Sequence, residues 1–192
     1  MVAFTAPNAG TSGLRLESPE AEVHANALLN GEILLQTRSH TAWGAAVTAQ
    51  MYLPQERETV WHQLVDYPRW VQYFPDVIQS RVLDPVVQDV SDKSKRLHQV
   101  ASKSFLFLSA QAEVYLRVFE RAPKQIRFCL ESGSFTDFYA DLQLKDYGSG
   151  SLLTYFVQAT PSIPVPSMFI QQAIHLDLPT NMRQMRQVIC SV

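Results

Sequence analysis

At 192 residues, with 46% hydrophobic and 18% charged side chains, the chain has the make-up of one globular domain able to bury a full core. Sixteen Lys and Arg against eighteen Asp and Glu leave a formal net charge of −2, which excludes the strongly basic face that nucleic-acid binding needs. Two cysteines, Cys129 and Cys190, stand far apart in no metal-ligand spacing; they read as free thiols of a reducing compartment, although the sequence leaves a bridge open.

Residues 1–30 are rich in Ala, Gly, Ser, Pro and Glu and read as a flexible tail, with a short helix over 20–29 as the alternative. The domain proper is expected over 31–192. The chain start lacks the charged and then apolar signature of a secretory leader, and no run of eighteen apolar residues occurs. A cytoplasmic protein is expected, with contact at a membrane periphery as an extension of that reading.

From Gly31 to Leu53 the pattern is that of one long or interrupted strand, which Pro54 ends. A helix over 55–64 follows, with Val60, Trp61 and Leu64 on its apolar edge, and Pro68 and Pro75 restrict the next helix to a short piece around 69–74. Trp61, Tyr67, Trp70, Tyr73 and Phe74 make this passage a large aromatic wedge that needs a concave surface to bury it.

Six runs of period two follow, at 77–83, 95–102, 105–120, 125–131, 135–144 and 151–159. They are separated by turn residues such as Asp84-Pro85, Ser91-Asp92-Lys93, Ala122-Pro123-Lys124 and Gly148-Ser149-Gly150, as an antiparallel meander requires. In the longest run Leu106, Leu108, Ala110, Ala112, Val114, Leu116 and Val118 alternate with mostly polar neighbours. The same parity continues at Ile126, Phe128 and Leu130 and at Phe138, Ala140, Leu142 and Leu144, so these strands share one dry face. The chain closes with a long helical run over 167–189 whose Ile170, Ile174, Leu178, Met182, Met185 and Ile189 form a stripe; Pro179 inside it predicts a kink near 176–178.

This order is that of an α+β helix-grip fold: a curved antiparallel sheet of about seven strands around a long C-terminal helix, with two short helices after the first strand. The series Trp61, Leu64-Val65-Asp66-Tyr67, Phe74-Pro75-Asp76-Val77 and Ser80-Arg81-Val82-Leu83 resembles the polyketide cyclase/dehydrase and coenzyme Q-binding branch of the START-like (SRPBCC) superfamily. Gly133-Ser134-Phe135 and Leu178-Pro179, Met182 and Met185-Arg186 look like its later landmarks. Two departures stand out: Val65 replaces a small hydroxyl residue, and the 95–102 strand carries no matching motif. The resemblance implies an elongated apolar cavity between sheet and helix for isoprenoids, polyketides or lipids.

The residues lead to the same place, because Ala110, Ala112 and Ala140 leave room on the dry face. The candidate ligand-binding set is Leu108, Ala110, Ala112, Phe128, Phe138, Ala140, Tyr155, Ile174, Met182 and Met185; plain core packing is the competing reading for each. Tyr155 is the inward polar candidate, able to meet a carbonyl or quinone oxygen, and Arg81 and Gln99 are weaker candidates at a pocket mouth. Trp61, Tyr67, Trp70, Tyr73 and Phe74 form either a plug or a gate, with Trp70 and Tyr73 as the exposed members.

Catalysis has little footing. The five histidines show no metal-ligand spacing, Asp66 reads as a cap of the helix turn, and an approach of His98 to His175 is the only histidine pairing to consider. Neither metal nor cofactor is implied. The expected function is non-catalytic binding or transport of a hydrophobic small molecule, with an aromatic polyketide cyclase or dehydratase as the alternative and an accessory interaction protein with a filled cavity as a third reading.

Overall fold

The structure is a computed structural model that describes residues 19–38, 40–83, 94–105 and 108–191. Chain order is α1 (Pro19–Leu29), β1 (Leu34–Arg38), β2 (Ala45–Leu53), α2 (Arg57–Leu64), a 3-10 turn (Tyr67–Arg69), α3 (Trp70–Tyr73), then β3 (Val77–Leu83), β4 (Lys95–Phe105), β5 (Leu108–Arg121), β6 (Gln125–Gly133), β7 (Phe135–Tyr147) and β8 (Gly150–Pro161). α4 (Ser167–Gln172), a π-helical turn (Ala173–Asp177) and α5 (Leu178–Cys190) complete it. The turns expected at Asp84-Pro85 and Ser91-Asp92-Lys93, and residues 1–18 of the tail, lie outside the described residues. α1 packs on β1 and β2, with Leu28 buried.

Eight strands form one antiparallel sheet in the order β1-β2-β8-β7-β6-β5-β4-β3. The one long or interrupted strand expected over 31–53 is a hairpin, with Leu34 opposite Gln50 and Arg38 opposite Ala46, and the strand count rises from about seven. Gly44 makes the reversal possible: a Cβ there would lie 2.2 Å from Thr41 Oγ1 and 2.5 Å from Thr160 Oγ1, so only glycine fits. Gly133 plays a similar part at the β6 end, where φ is +135° and a Cβ would meet the Glu113 carbonyl at 2.2 Å.

The period-two reading places the faces correctly wherever side chains are described. Leu97, Val114, Leu116, Val118, Ile126, Phe128, Ala140, Leu142, Leu144, Leu153 and Tyr155 are buried on the concave side, opposite the C-terminal helices. The expected run starting at Phe105 divides otherwise, because Phe105 ends β4 and pairs with Leu108 at the start of β5.

Pro179 explains the broken C-terminal helix. Proline has no N–H to donate to the His175 carbonyl, and the chain absorbs the lost bond in a π turn over 173–177, where the Leu178 N–H reaches back to the Ala173 carbonyl. Ile174, Leu178, Met182, Met185 and Ile189 still form one buried face across the break. Long-range bonds tie α5 to the rest: Arg186 Nε donates to the Tyr52 carbonyl at 3.0 Å, Gln184 Nε2 to the Gln72 carbonyl at 3.3 Å, and Gln63 Nε2 of α2 donates to the Ile189 carbonyl at 3.0 Å.

Candidate ligand cavity

A cavity of about 190 Å³ lies between the concave sheet and the aromatic wedge. Trp70 and Phe74 form one wall and Phe135, Phe138 and Tyr155 another, while Ala101 and Ala112 supply the empty space between them. Ala101 and Phe135 also border a more open hollow of about 410 Å³, which continues under the π turn between Ala45, Val47 and Val157 on the sheet and Ala173, Ile174 and Leu178 on the helix. Asp76, Asp177 and Asn181 give this outer hollow a polar margin. The inner compartment is smaller than the roughly 300–1,000 Å³ of ordinary ligand sites, so an occupant of normal size must extend into the outer one.

Alternation along β8 turns Tyr155 inward beside Phe74, with ring centroids 6.3 Å apart. The residue is 7% exposed and its hydroxyl makes no hydrogen bond with any described residue. Burial pushes the phenol pKa upward, so the group stays neutral and keeps its donor. Gln99, which the sequence marks only weakly, also lines the inner compartment; its amide donates to Ser80 Oγ at 3.1 Å, and Ser80 Oγ donates to the Tyr67 carbonyl at 2.7 Å. No charged residue lines this compartment among the described residues.

The expected ligand set divides. Ala112, Phe138 and Tyr155 line the inner compartment and Ile174 the outer one. Phe128, Ala140, Met182 and Met185 are buried in the core beyond it. Ala140 faces Phe128 across the strand pair, and the Phe128 ring sits 5.0 Å from Trp70 and 6.1 Å from Tyr67, so the space that Ala140 leaves is filled by wedge rings. The side chains of Leu108 and Ala110 lie outside the described set.

The exposure expected for Trp70 and Tyr73 is overturned. Both are buried, together with Trp61 and Tyr67, while Phe74 is half-buried. Three polar tips of the wedge have partners: Trp70 Nε1 donates to the Leu64 carbonyl at 2.8 Å, Tyr73 to the Gln63 carbonyl at 3.0 Å, and Tyr67 to Glu120 Oε1 at 2.6 Å. Burial pushes the Tyr73 pKa up to about 12, and burial with help from the Glu120 carboxylate raises that of Tyr67. A ring that is buried and hydrogen-bonded at its tip has no amphipathic end to offer a membrane.

Other expectations change as well. Asp66 makes no side-chain capping bond, and its backbone carbonyl accepts from the Arg69 N–H instead. Arg81 and His98 point away from the cavity: Arg81 Nε donates to His98 Nδ1 at 3.2 Å, and His98 Nε2–H donates to Glu113 Oε1 at 2.7 Å. His175 bonds Gln171 on its own helix, so it does not meet His98. Sequence reasoning missed a pair near the outer hollow, where His40 Nε2 lies 2.6 Å from Asp137 Oδ2 in a cleft that shares Ala45 and Ile174 with it. The two are 97 residues apart, so only the folded sheet brings the β1–β2 loop to β7. Among the described residues, no three His, Cys, Asp or Glu are grouped to hold a metal ion, and no helix is long and apolar enough to cross a membrane.

Residues 53–186 match the family model described as polyketide cyclase / dehydrase and lipid transport. A solved protein of Thermus thermophilus superposes with a TM-score of 0.62 at 15% identity, covering 76% of this chain and 97% of that one. A START superfamily protein of Mycobacterium smegmatis gives 0.61 at 15% identity, covering 75% and 96%. A STAR-related lipid transfer protein of Xanthomonas axonopodis gives 0.56 at 14% identity, covering 81% and 98%. At these identities the likeness is one of fold. No curated protein matches the sequence.

Proposed function

The chain belongs to the polyketide cyclase/dehydrase and lipid transport family, and on that premise we propose that it carries a neutral hydrophobic small molecule with at least one oxygen, held non-covalently between sheet and helix. The observation that carries this reading is the Tyr155 hydroxyl: on the cavity wall, without a partner among the described residues, in a lining whose one other polar side chain is Gln99. A ligand oxygen at that point would accept from the phenol, a hydrogen bond contributing about 0.5–1.5 kcal/mol net. Apolar contact adds about 25 cal/mol for each Å² removed from water, less the ordering cost of association. The uncharged inner wall disfavours an ionised ligand, because it offers nothing to offset desolvation of a charge.

Ligand exchange is assigned to the outer hollow rather than to the wedge. Trp43, Ile163 and Leu176 are exposed apolar residues on the segments beside it, with Leu176 at 63% exposure on the π turn, and Trp43 Nε1 donating to the Pro161 carbonyl at 3.3 Å. Such residues suit brief contact with a lipid surface. The wedge then serves as a fixed plug whose inner side is the cavity wall.

The test is ligand identification by mass spectrometry on protein from its native host, followed by rebinding to Ala112→Trp. An indole at position 112 would occupy the inner compartment, so uptake should be lost while the fold is retained. Release of no lipid, quinone or polyketide, with uptake unaltered in the variant, would end the carrier reading.

One observation favours an enzymatic second reading. The His40–Asp137 pair beside the outer hollow has the donor and acceptor of general acid-base chemistry, as a cyclase or dehydratase would need. Turnover of a polyketide-like substrate that His40→Asn abolishes, with binding retained, would favour that reading over a carrier.

A further inference from the structure

At the end of the sheet remote from the cavity mouth, a cleft of about 510 Å³ is bordered by Arg57, Arg121, Lys124 and Lys145, with Asp146 as its one carboxylate among the described residues. Phe138, in the cavity wall, and Asp146, in the cleft, are eight residues apart along β7, a separation of roughly 26 Å at ~3.3 Å per residue. The two sites therefore do not share an occupant of ordinary size.

The charges of the cleft are poorly matched within the protein. Arg121, Lys124 and Lys145 are exposed, and none makes a side-chain hydrogen bond or ion pair with a described residue. Arg57 is different: its side chain is 21% exposed, Nη1 meets Asp146 Oδ2 at 3.2 Å and Nη2 meets Glu58 Oε1 at 3.5 Å, yet Nε is buried with no partner among the described residues. In a chain of net charge −2, this gathering of four cations against the carboxylates of Asp146 and Glu58 is a local excess.

We infer that this cleft binds a polyanion bearing two or more phosphate groups. Two guanidinium forks and two ammonium groups are the donors that phosphate oxygens select, and one phosphate would leave most of the cations and most of the volume unused. The phosphates belong either to a soluble phosphorylated molecule or to anionic lipid headgroups, and the experiment separates these sources.

Inorganic pyrophosphate is titrated calorimetrically into the full chain at low salt, and flotation is measured with phosphatidylglycerol and phosphatidylcholine vesicles. Each is repeated with the triple variant Arg121→Gln, Lys124→Gln, Lys145→Gln; these exposed side chains hold no polar contacts with described residues, so the melting temperature should be unchanged, and Lys145→Gln alone provides a milder second variant. Saturable pyrophosphate binding that weakens at least about tenfold in the triple variant, and also weakens between about 50 mM and 500 mM salt, supports the site with a soluble occupant. Flotation with phosphatidylglycerol alone, lost in the same variant, supports it with a headgroup occupant. Absence of both, or binding indifferent to the triple variant, overturns the inference.

Discussion

Tyr155→Phe removes one oxygen from the cavity wall and is predicted to separate binding from stability. In the free protein that hydroxyl has no hydrogen bond to a described residue to lose, so the variant should unfold no more easily than wild type, with stability within about 0.5 kcal/mol of it. For a chain of this length that holds Tm within roughly 2 °C of wild type. With ligand present a cost emerges: the ligand oxygen loses its donor inside a largely apolar wall, costing about 1–3 kcal/mol, or roughly 5- to 150-fold in Kd. The internal control is Tyr73→Phe, which leaves the buried Gln63 carbonyl without its donor at 3.0 Å and should destabilise by about 1–3 kcal/mol. Thermal and urea unfolding of the two variants, with and without the ligand from native-host protein, supply all four quantities. The reasoning is refuted if Tyr155→Phe destabilises the free protein as much as Tyr73→Phe does, or if ligand affinity is the same as in wild type.

Trp70→Ala should lower stability by about 3–5 kcal/mol, since it empties the contacts with Phe74 and Phe128 and frees the Leu64 carbonyl; a gate would instead show altered ligand exchange at unchanged stability. Leu176→Glu should slow ligand transfer to vesicles without lowering Tm, because the side chain is exposed beside the outer hollow; unchanged transfer would remove the π turn from the exchange surface. Alkaline stability provides a check on the buried phenols. The Tyr73 phenol ionises near its ordinary 10.0 in the unfolded chain and near about 12 when folded, so above pH 10 the native state holds more protons than the unfolded one. That contribution is fully present below pH 10 and is lost as pH rises through about 12, with Tyr67 and Tyr155 acting in the same direction. A urea midpoint that stays level between pH 9 and about 11.5, or that rises, would contradict the burial of these groups.

Local patterning determines much of this protein. A period of two assigns a side chain to one face of a strand, and it does so for β5, β6 and β7 because their inner positions are apolar and their outer ones polar. Prolines at 54, 68 and 75 bound the short helices by removing backbone donors, and Pro179 marks the break in the last helix, although the π geometry of that break depends on which carbonyl Leu178 can reach. The hairpin of β1 and β2 is less legible: its reversal rests on Gly44 fitting against Thr160, a residue 116 positions away.

Whether an inward residue borders space or fills it is decided by tertiary packing. Ala112 and Ala140 carry the same sequence signal, yet one opens a cavity and the other is covered by Phe128 and the wedge. Alternation specifies a direction perpendicular to the sheet, whereas vacancy depends on what lies opposite along that direction. The same limit hides the two polar features. A tyrosine reads alike in sequence whether its hydroxyl is bonded, as in Tyr73, or left for a ligand, as in Tyr155; and the cations of the far cleft come from α2, the end of β5, the turn after it and β7, which only the folded sheet draws together.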